Sequence, residues 1–149
     1  MQVFIGADHA GFQLKSVVMA HLSKRGVDVE DDGDRELNPG DDYPQFAYTV
    51  TTKVLGSEDA DPRGILLCGS GQGMCIAANR VRGIRAALCW TEDIARETRN
   101  DNDSNVLCIP ARTLTEEEAL RIIDVWLDTP FSGATRHQRR INEIEELYG

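Results

Sequence analysis

A chain of 149 residues is long enough to bury a core of its own and short for two, so a single domain spanning 1–149 is expected. Acidic residues outnumber basic ones 25 to 16, a formal net charge of −9, which argues against a general nucleic-acid binder or a protein of anionic membrane surfaces. The four cysteines show no CxxC spacing, no secretory segment precedes them, and no apolar run approaches the roughly 20 residues of a bilayer span. The expectation is therefore a reduced, cytoplasmic protein without a structural metal.

In chain order, residues 2–7 read as a first strand that ends in Asp8-His9-Ala10-Gly11. A helix follows with Leu14, Val17, Val18, His21 and Leu22 on one face, and Gly26 stands where a C-cap glycine belongs. A second strand is expected at 27–30. The stretch 31–43, rich in Asp, Gly, Asn and Pro, reads as a loop, and Pro44 suits the first turn of a helix reaching Leu55. The acidic segment 57–61 is a solvated turn.

The third strand, 64–68, ends in a thiol and runs into Cys68-Gly69-Ser70-Gly71-Gln72-Gly73, which opens a helix through Ile76-Ala77-Ala78-Asn79-Arg80. Glycines let backbone N–H groups turn toward one point, and the helix start adds unpaired N–H groups and a positive dipole end. Together they make an oxyanion hole beside Cys68. The same surroundings are expected to lower the thiol pKa from about 8.5, so that Cys68 serves as a thiolate, either base or nucleophile. Two plainer readings stand beside this one. The cysteine can be a small buried hydrophobe, and the glycine loop can bind a dinucleotide, although its G-x-G-x-G spacing departs from G-x-G-x-x-G.

Two further strands are expected at 84–88 and 106–109. Thr115 and Glu118 form a capping box ahead of Ala119, Ile122, Ile123, Trp126 and Leu127, an amphipathic helix whose stripe packs on the core. After a Pro- and Gly-containing loop, Ile141, Ile144, Leu147 and Tyr148 recur at helical spacing beyond the completed sheet. This C-terminal helix, about 134–149, is expected to contact a partner subunit. It carries the densest basic cluster, Arg136-His137-Gln138-Arg139-Arg140, in which Arg136 and Arg140 share a face and suit a phosphate. A solvated helix paired with Glu143, Glu145 and Glu146 is the bland alternative. Strands alternating with helices mean an α/β fold with a mostly parallel five-stranded sheet, helices on both faces, and ligands at the carboxyl ends of the strands. Asp8, His9, residues 68–73 and the stretch after Leu88 fall at that edge.

Four blocks stand in order: Gly6-Ala7-Asp8-His9-Ala10-Gly11, Cys68 through Arg80, Asn102-Asp103-Ser104-Asn105-Val106, and Arg136 through Arg140. With Asp42-Tyr43-Pro44 they closely resemble the type B ribose-5-phosphate isomerases and the related galactose-6-phosphate isomerase subunits, over nearly the whole chain. The resemblance implies a single-domain, Rossmann-like three-layer sandwich and a cofactor-free aldose–ketose isomerase of carbohydrate metabolism, in the pentose phosphate pathway or close to it. It further implies a homodimer or dimer of dimers whose active sites are shared between subunits. Carried over by position, Cys68 is the base that moves a proton between the first and second carbons of an open-chain sugar phosphate through an enediolate. The N–H groups of Gly69, Gly71, Gln72 and Gly73 stabilise the oxyanion, and Ser70 relays a proton between the two oxygens. His9, Arg136 and Arg140 hold the phosphate with Arg112 nearby, while Asp8, Tyr43 and Asn102 contact sugar hydroxyls. Family members that lack the cysteine use a glutamate at the position of Met74, which cannot titrate, so the cysteine branch is indicated.

One position departs from the pattern. Where many ribose-5-phosphate isomerases of this family carry a ring-opening histidine just before the Asn of the N-D-[ST]-N block, this chain has Asp101. An ionised carboxylate is a poor proton donor and repels an anionic substrate. Three outcomes follow. Asp101 is protonated by burial or acts as a base on the anomeric hydroxyl; His9 or His137 takes the task; or the substrate is a different sugar phosphate, six-carbon or deoxygenated. A non-catalytic sugar-phosphate sensor on the same fold is the alternative function.

Overall fold

The computed structural model describes residues 1–149. Its elements are β1 (Gln2–Ala7), α1 (Phe12–Lys24), β2 (Asp28–Asp31), α2 (Tyr43–Gly56), β3 (Pro62–Cys68), α3 (Gln72–Ala78), β4 (Ala86–Leu88), α4 (Glu92–Asn102), β5 (Val106–Pro110), α5 (Glu116–Asp128) and α6 (Thr135–Tyr148). The five strands form one sheet in the order β2-β1-β3-β5-β4. Every neighbouring pair is parallel, so the sheet is wholly rather than mostly parallel. No helix is long and apolar enough to cross a membrane.

Successive strand residues point to opposite faces, and the two faces bury different helices. Val3, Ile5, Ile65, Leu67, Leu107 and Ile109 meet α1 and α5 through Val18, Leu22, Ile122, Ile123 and Trp126. Phe4, Leu66, Val106 and Cys108 meet α2 and α3 through Val50, Val54, Met74 and Ala78. The α5 capping box forms as expected, Thr115 Oγ1 accepting from the Glu118 amide and Glu118 accepting from the Thr115 amide.

Two local features depart from the sequence reading, and a third bears on the C-terminal helix. β4 is only three residues long, because the amides of Ile84 and Arg85 are taken by the Val81 carbonyl and the Asn105 side chain before pairing begins. The buried face of α1 includes Lys15, 2 % exposed, whose ammonium reaches Asp31 Oδ1 at 2.9 Å and the Asp34 carbonyl at 2.6 Å. On α6, His137 and Ile141 are buried, but Ile144, Leu147 and Tyr148 are exposed in the single chain.

Candidate active site

The carboxyl ends of β1, β3 and β5 stand side by side, with Ala7 opposite Leu67 and Cys68 opposite Pro110. Backbone bonds lace the chain as it leaves them: the Asp8 amide donates to the Leu67 carbonyl (3.2 Å), Ala111 to Cys68 (2.9 Å) and Arg112 to Gly69 (3.0 Å). Asp8 then turns the chain into α1, its Oδ1 accepting from the amides of Ala10 (2.9 Å) and Gly11 (3.2 Å).

The loop after Cys68 needs its glycines. Gly71 has φ +73°, and a Cβ there would stand 2.5 Å from Leu88 Cδ1. A Cβ on Gly73 would stand 2.7 Å from Tyr43 Cζ, so the Tyr43 ring from the start of α2 lies directly on the α3 N-terminus. The Arg112 guanidinium covers Gly69, and Ser70 Oγ accepts from the Gln72 amide at 3.4 Å. Asp8, His9, Tyr43, Cys68, Gly69, Ser70, Gly71, Gln72, Gly73 and Arg112 are thus brought to one edge of the sheet.

The expected lowering of the Cys68 pKa does not occur within the chain. Cys68 is 4 % exposed, and burial pushes its thiol up, with the Asp8 carboxylate adding in the same direction. Backbone N–H groups of Met74 and Gly71 offset this only in part. α3 is two turns long, so its dipole is a weak counterweight. The lowered thiol is Cys75 instead, drawn down to about 7 by a hydrogen bond from the Cys108 thiol. Burial pushes Cys89 up to about 12.

His9 has a partner that sequence reasoning missed. Asp41 Oδ1 accepts from His9 Nδ1 at 2.8 Å and from the His9 amide at 3.2 Å. One donor atom each from Asp8, His9 and Asp41 lie within 4.8 Å of one another, the geometry a metal ion would need. Asp8 Oδ1 and His9 Nδ1 are already engaged by the hydrogen bonds above. Asp41 is one of several Asp residues in a loop, and no spacing rule singles it out.

Asp101, Asn102, Arg136 and Arg140 lie elsewhere. α4 starts beside the carboxyl ends of the strands at Thr91 and runs back antiparallel to them. Its last turn is therefore at the opposite edge, where the Asn102 carbonyl accepts from Arg85 Nε at 3.0 Å. α6 crosses there, with His137 Nε2 3.3 Å from Asp101 Oδ1 but in no hydrogen-bond geometry with it. An open groove of about 550 Å³ at this edge is lined by Arg80, Asn102, Ile141, Ile144 and Tyr148 among others. It does not include Cys68. The Asp101 side chain is 43 % exposed in the single chain.

The Cys68 thiol, at the backbone amides of Gly71 and Met74, shares the carboxyl edge of a parallel sheet with a carboxylate, an imidazole, a phenol and a guanidinium, an arrangement suited to proton transfer on a small polyhydroxylated anion. The comparisons with known proteins agree. The family model described as Ribose/Galactose Isomerase matches residues 3–144, and the chain belongs to that family. It is an aldose–ketose isomerase. Among its relatives, the ribose-5-phosphate isomerase B of Mycobacterium tuberculosis is 42% identical over 146 residues, 98% of this chain and 89% of that protein. The structure of ribose-5-phosphate isomerase B from Mycoplasma genitalium with bound ribulose-5-phosphate superposes with a TM-score of 0.92 at 41% identity, covering 97% of this chain and 94% of that one. That of a Thermotoga maritima ribose 5-phosphate isomerase also gives 0.92, at 48% identity and 98% of both chains.

Proposed function

We propose that this protein interconverts ribose 5-phosphate and ribulose 5-phosphate with Cys68 as the base. The observation that carries the reading is the Cys68 thiol at the backbone amides of Gly71 and Met74, in a chain 41% identical to a protein whose structure holds ribulose-5-phosphate. The Cys68 thiolate takes the C2 proton of the open-chain aldose and returns it to C1. The amides of Gly69, Gly71, Gln72 and Gly73 receive the negative charge of the enediolate, and Ser70 moves the hydroxyl proton from O2 to O1. Asp8 and Tyr43 orient the sugar hydroxyls. His9 binds the phosphate with Arg112 beside it.

The remaining groups come from a second copy of the chain. α4 and α6 present Asp101, Asn102, Arg136 and Arg140 at the far edge of their own sheet, so a two-fold partner is what supplies them. The partner's Arg136 and the partner's Arg140 clamp the phosphate, and the partner's Asn102 reaches the sugar. The partner's Asp101 acts on the anomeric hydroxyl to open the ring. His137, whose Nε2 is buried beside Asp101 without a hydrogen bond, places an imidazole behind that carboxylate. The exposed Ile144, Leu147 and Tyr148 belong to the same interface.

Asp101 favours a second reading of the substrate. A shorter, acidic side chain in place of an imidazole leaves more room at C1, which suits a six-carbon sugar phosphate. The deciding experiment is NMR-monitored exchange of the C2 proton in deuterated water over five- and six-carbon aldose phosphates. Exchange with ribose 5-phosphate that disappears in Cys68→Ala is expected. Exchange confined to a hexose phosphate would move the substrate to the second reading. Binding without exchange would make the protein a sensor.

A further inference from the structure

We propose that Asp41 is a positioning residue for His9, holding the imidazole by Nδ1 so that Nε2 is the nitrogen offered to the phosphomonoester group. The inference rests on the reading of His9 as a phosphate ligand. A single oxygen, Asp41 Oδ1, fixes both the ring (2.8 Å to Nδ1) and the backbone of His9 (3.2 Å to its amide). The Asp41 side chain is 5 % exposed while that of His9 is 34 % exposed. The carboxylate is thus a wall behind the ring, and the ring is what meets solvent and ligand.

Chemistry gives this contact its consequence. A phosphate oxygen accepts hydrogen bonds and cannot donate to a bare ring nitrogen. With Nδ1–H given to Asp41, Nε2 binds a phosphate dianion only as N–H. The bound imidazole then carries both protons and lies between two anions, the carboxylate on one side and the phosphate on the other. In this way a buried acid beside an anion site strengthens binding instead of repelling the ligand, as carboxylates behind ligating histidines do elsewhere.

The rest of the loop is built to keep Asp41 in place. Lys15 from one face of the sheet holds Asp31 and the Asp34 carbonyl, and Lys53 from the other face holds Glu30 and Asp32. At the far end Tyr43 is seated on Gly73. A loop pinned at both ends presents its acid at a fixed point, 32 residues along the chain from the histidine it orients.

The test compares Asp41→Ala, Asp41→Asn and His9→Ala for KM with the sugar phosphate found active, for kcat, and for the Ki of inorganic phosphate as competitor. It also records ring-nitrogen signals in the phosphate-saturated protein labelled with 15N-histidine. Asp41→Ala is expected to raise KM and Ki together by about tenfold with kcat within about twofold, the loss of one charge-assisted hydrogen bond. Asp41→Asn, which keeps an acceptor oxygen, recovers part of this. Phosphate-bound wild type shows both His9 nitrogens protonated, and Asp41→Ala shows one. An unchanged or lowered Ki in Asp41→Ala beside a raised Ki in His9→Ala would overturn the inference while the phosphate role of His9 stands. An unchanged Ki in His9→Ala would overturn both.

Discussion

Cys68 ends β3 and Cys75 lies on α3 just beyond it, yet their acid strengths are shifted in opposite directions. A hydrogen bond from Cys108 draws Cys75 down to about 7, whereas burial and the nearby Asp8 carboxylate push Cys68 up. The Asn79 amide adds a second donor to Cys75 at 3.6 Å. At a pH of about 7 the larger thiolate fraction is therefore on Cys75, which is also the more exposed. Iodoacetamide followed by peptide mass spectrometry is expected to modify Cys75 before Cys68. The reverse order would mean that the assembled protein supplies Cys68 with a cation the single chain does not.

The same upward push fixes the sign of the pH dependence. With Cys68 as the proposed base, which must be deprotonated to act, kcat/KM is expected to fall as pH drops through the Cys68 pKa. Because that pKa is raised, the rising limb belongs on the alkaline side of an ordinary thiol, about 8.5. Cys68→Ala is expected to lower kcat by roughly 10²–10⁴-fold while the Ki of inorganic phosphate stays near wild type. A limb that persists in Cys68→Ala would assign the titration to another group.

How far the sequence reaches is visible in particular residues. The alternation of strands and helices, the capping box at Thr115, and the meeting of Asp8 with Cys68 all follow from local patterns, because each depends on residues close in sequence or on the one rule that parallel strands end at a common edge. Lys15 and Asp41 do not follow. A lysine on a helix reads as solvated until a loop folds over it, and which aspartate of an acidic loop meets His9 is a tertiary fact. The location of Asp101 was equally hidden, since its block follows a strand that ends at the site but sits at the end of the helix that leads away. The upward direction of the Cys68 pKa does not follow from the motif either, because a motif shows its N–H donors and not the burial that outweighs them.

Gly71 and Gly73 separate backbone strain from contact. Gly71→Ala puts a side chain on a φ of +73° and drives it into Leu88, a combined loss of about 1–3 kcal/mol or more in unfolding free energy, with the oxyanion loop displaced and kcat reduced. Gly73→Ala has no φ in the left-handed region and meets only the Tyr43 ring. It is expected to raise KM more than it lowers kcat, with little change in urea midpoint. Equal effects from the two would mean that the loop tolerates both or collapses with either.

Lys15 ties the 32–42 loop to the helix beneath it. Lys15→Met keeps the apolar stem but removes the ammonium from Asp31 and Asp34, at about 1–3 kcal/mol given that Asp31 is partly exposed. Limited proteolysis is expected to gain a cut within the loop. Lys15→Arg is not expected to rescue it, because a Cβ on Gly33 would already stand 2.8 Å from Nζ and a guanidinium needs more room. A loop equally protected in Lys15→Met would place its anchoring on Lys53 and Tyr43 alone.

The proposed division of the site between two chains makes a quantitative prediction. Cys68 stands at the carboxyl edge of the sheet, while Arg140 stands on α6, which packs beside the end of α4 at the other edge. If each active site takes Cys68 from one chain and Arg140 from its partner, Cys68→Ala and Arg140→Ala homodimers are both impaired. A mixed dimer, however, holds one site with both defects and one site with neither. Random assembly of equal amounts makes half of all dimers mixed, so co-refolding the two variants is expected to return about one quarter of wild-type activity. Arg136→Ala in place of Arg140→Ala should give the same fraction. Mixing without any gain would mean that Arg140 serves the site of its own chain, which would require α6 to leave its seat on α4, with His137 separated from Asp101.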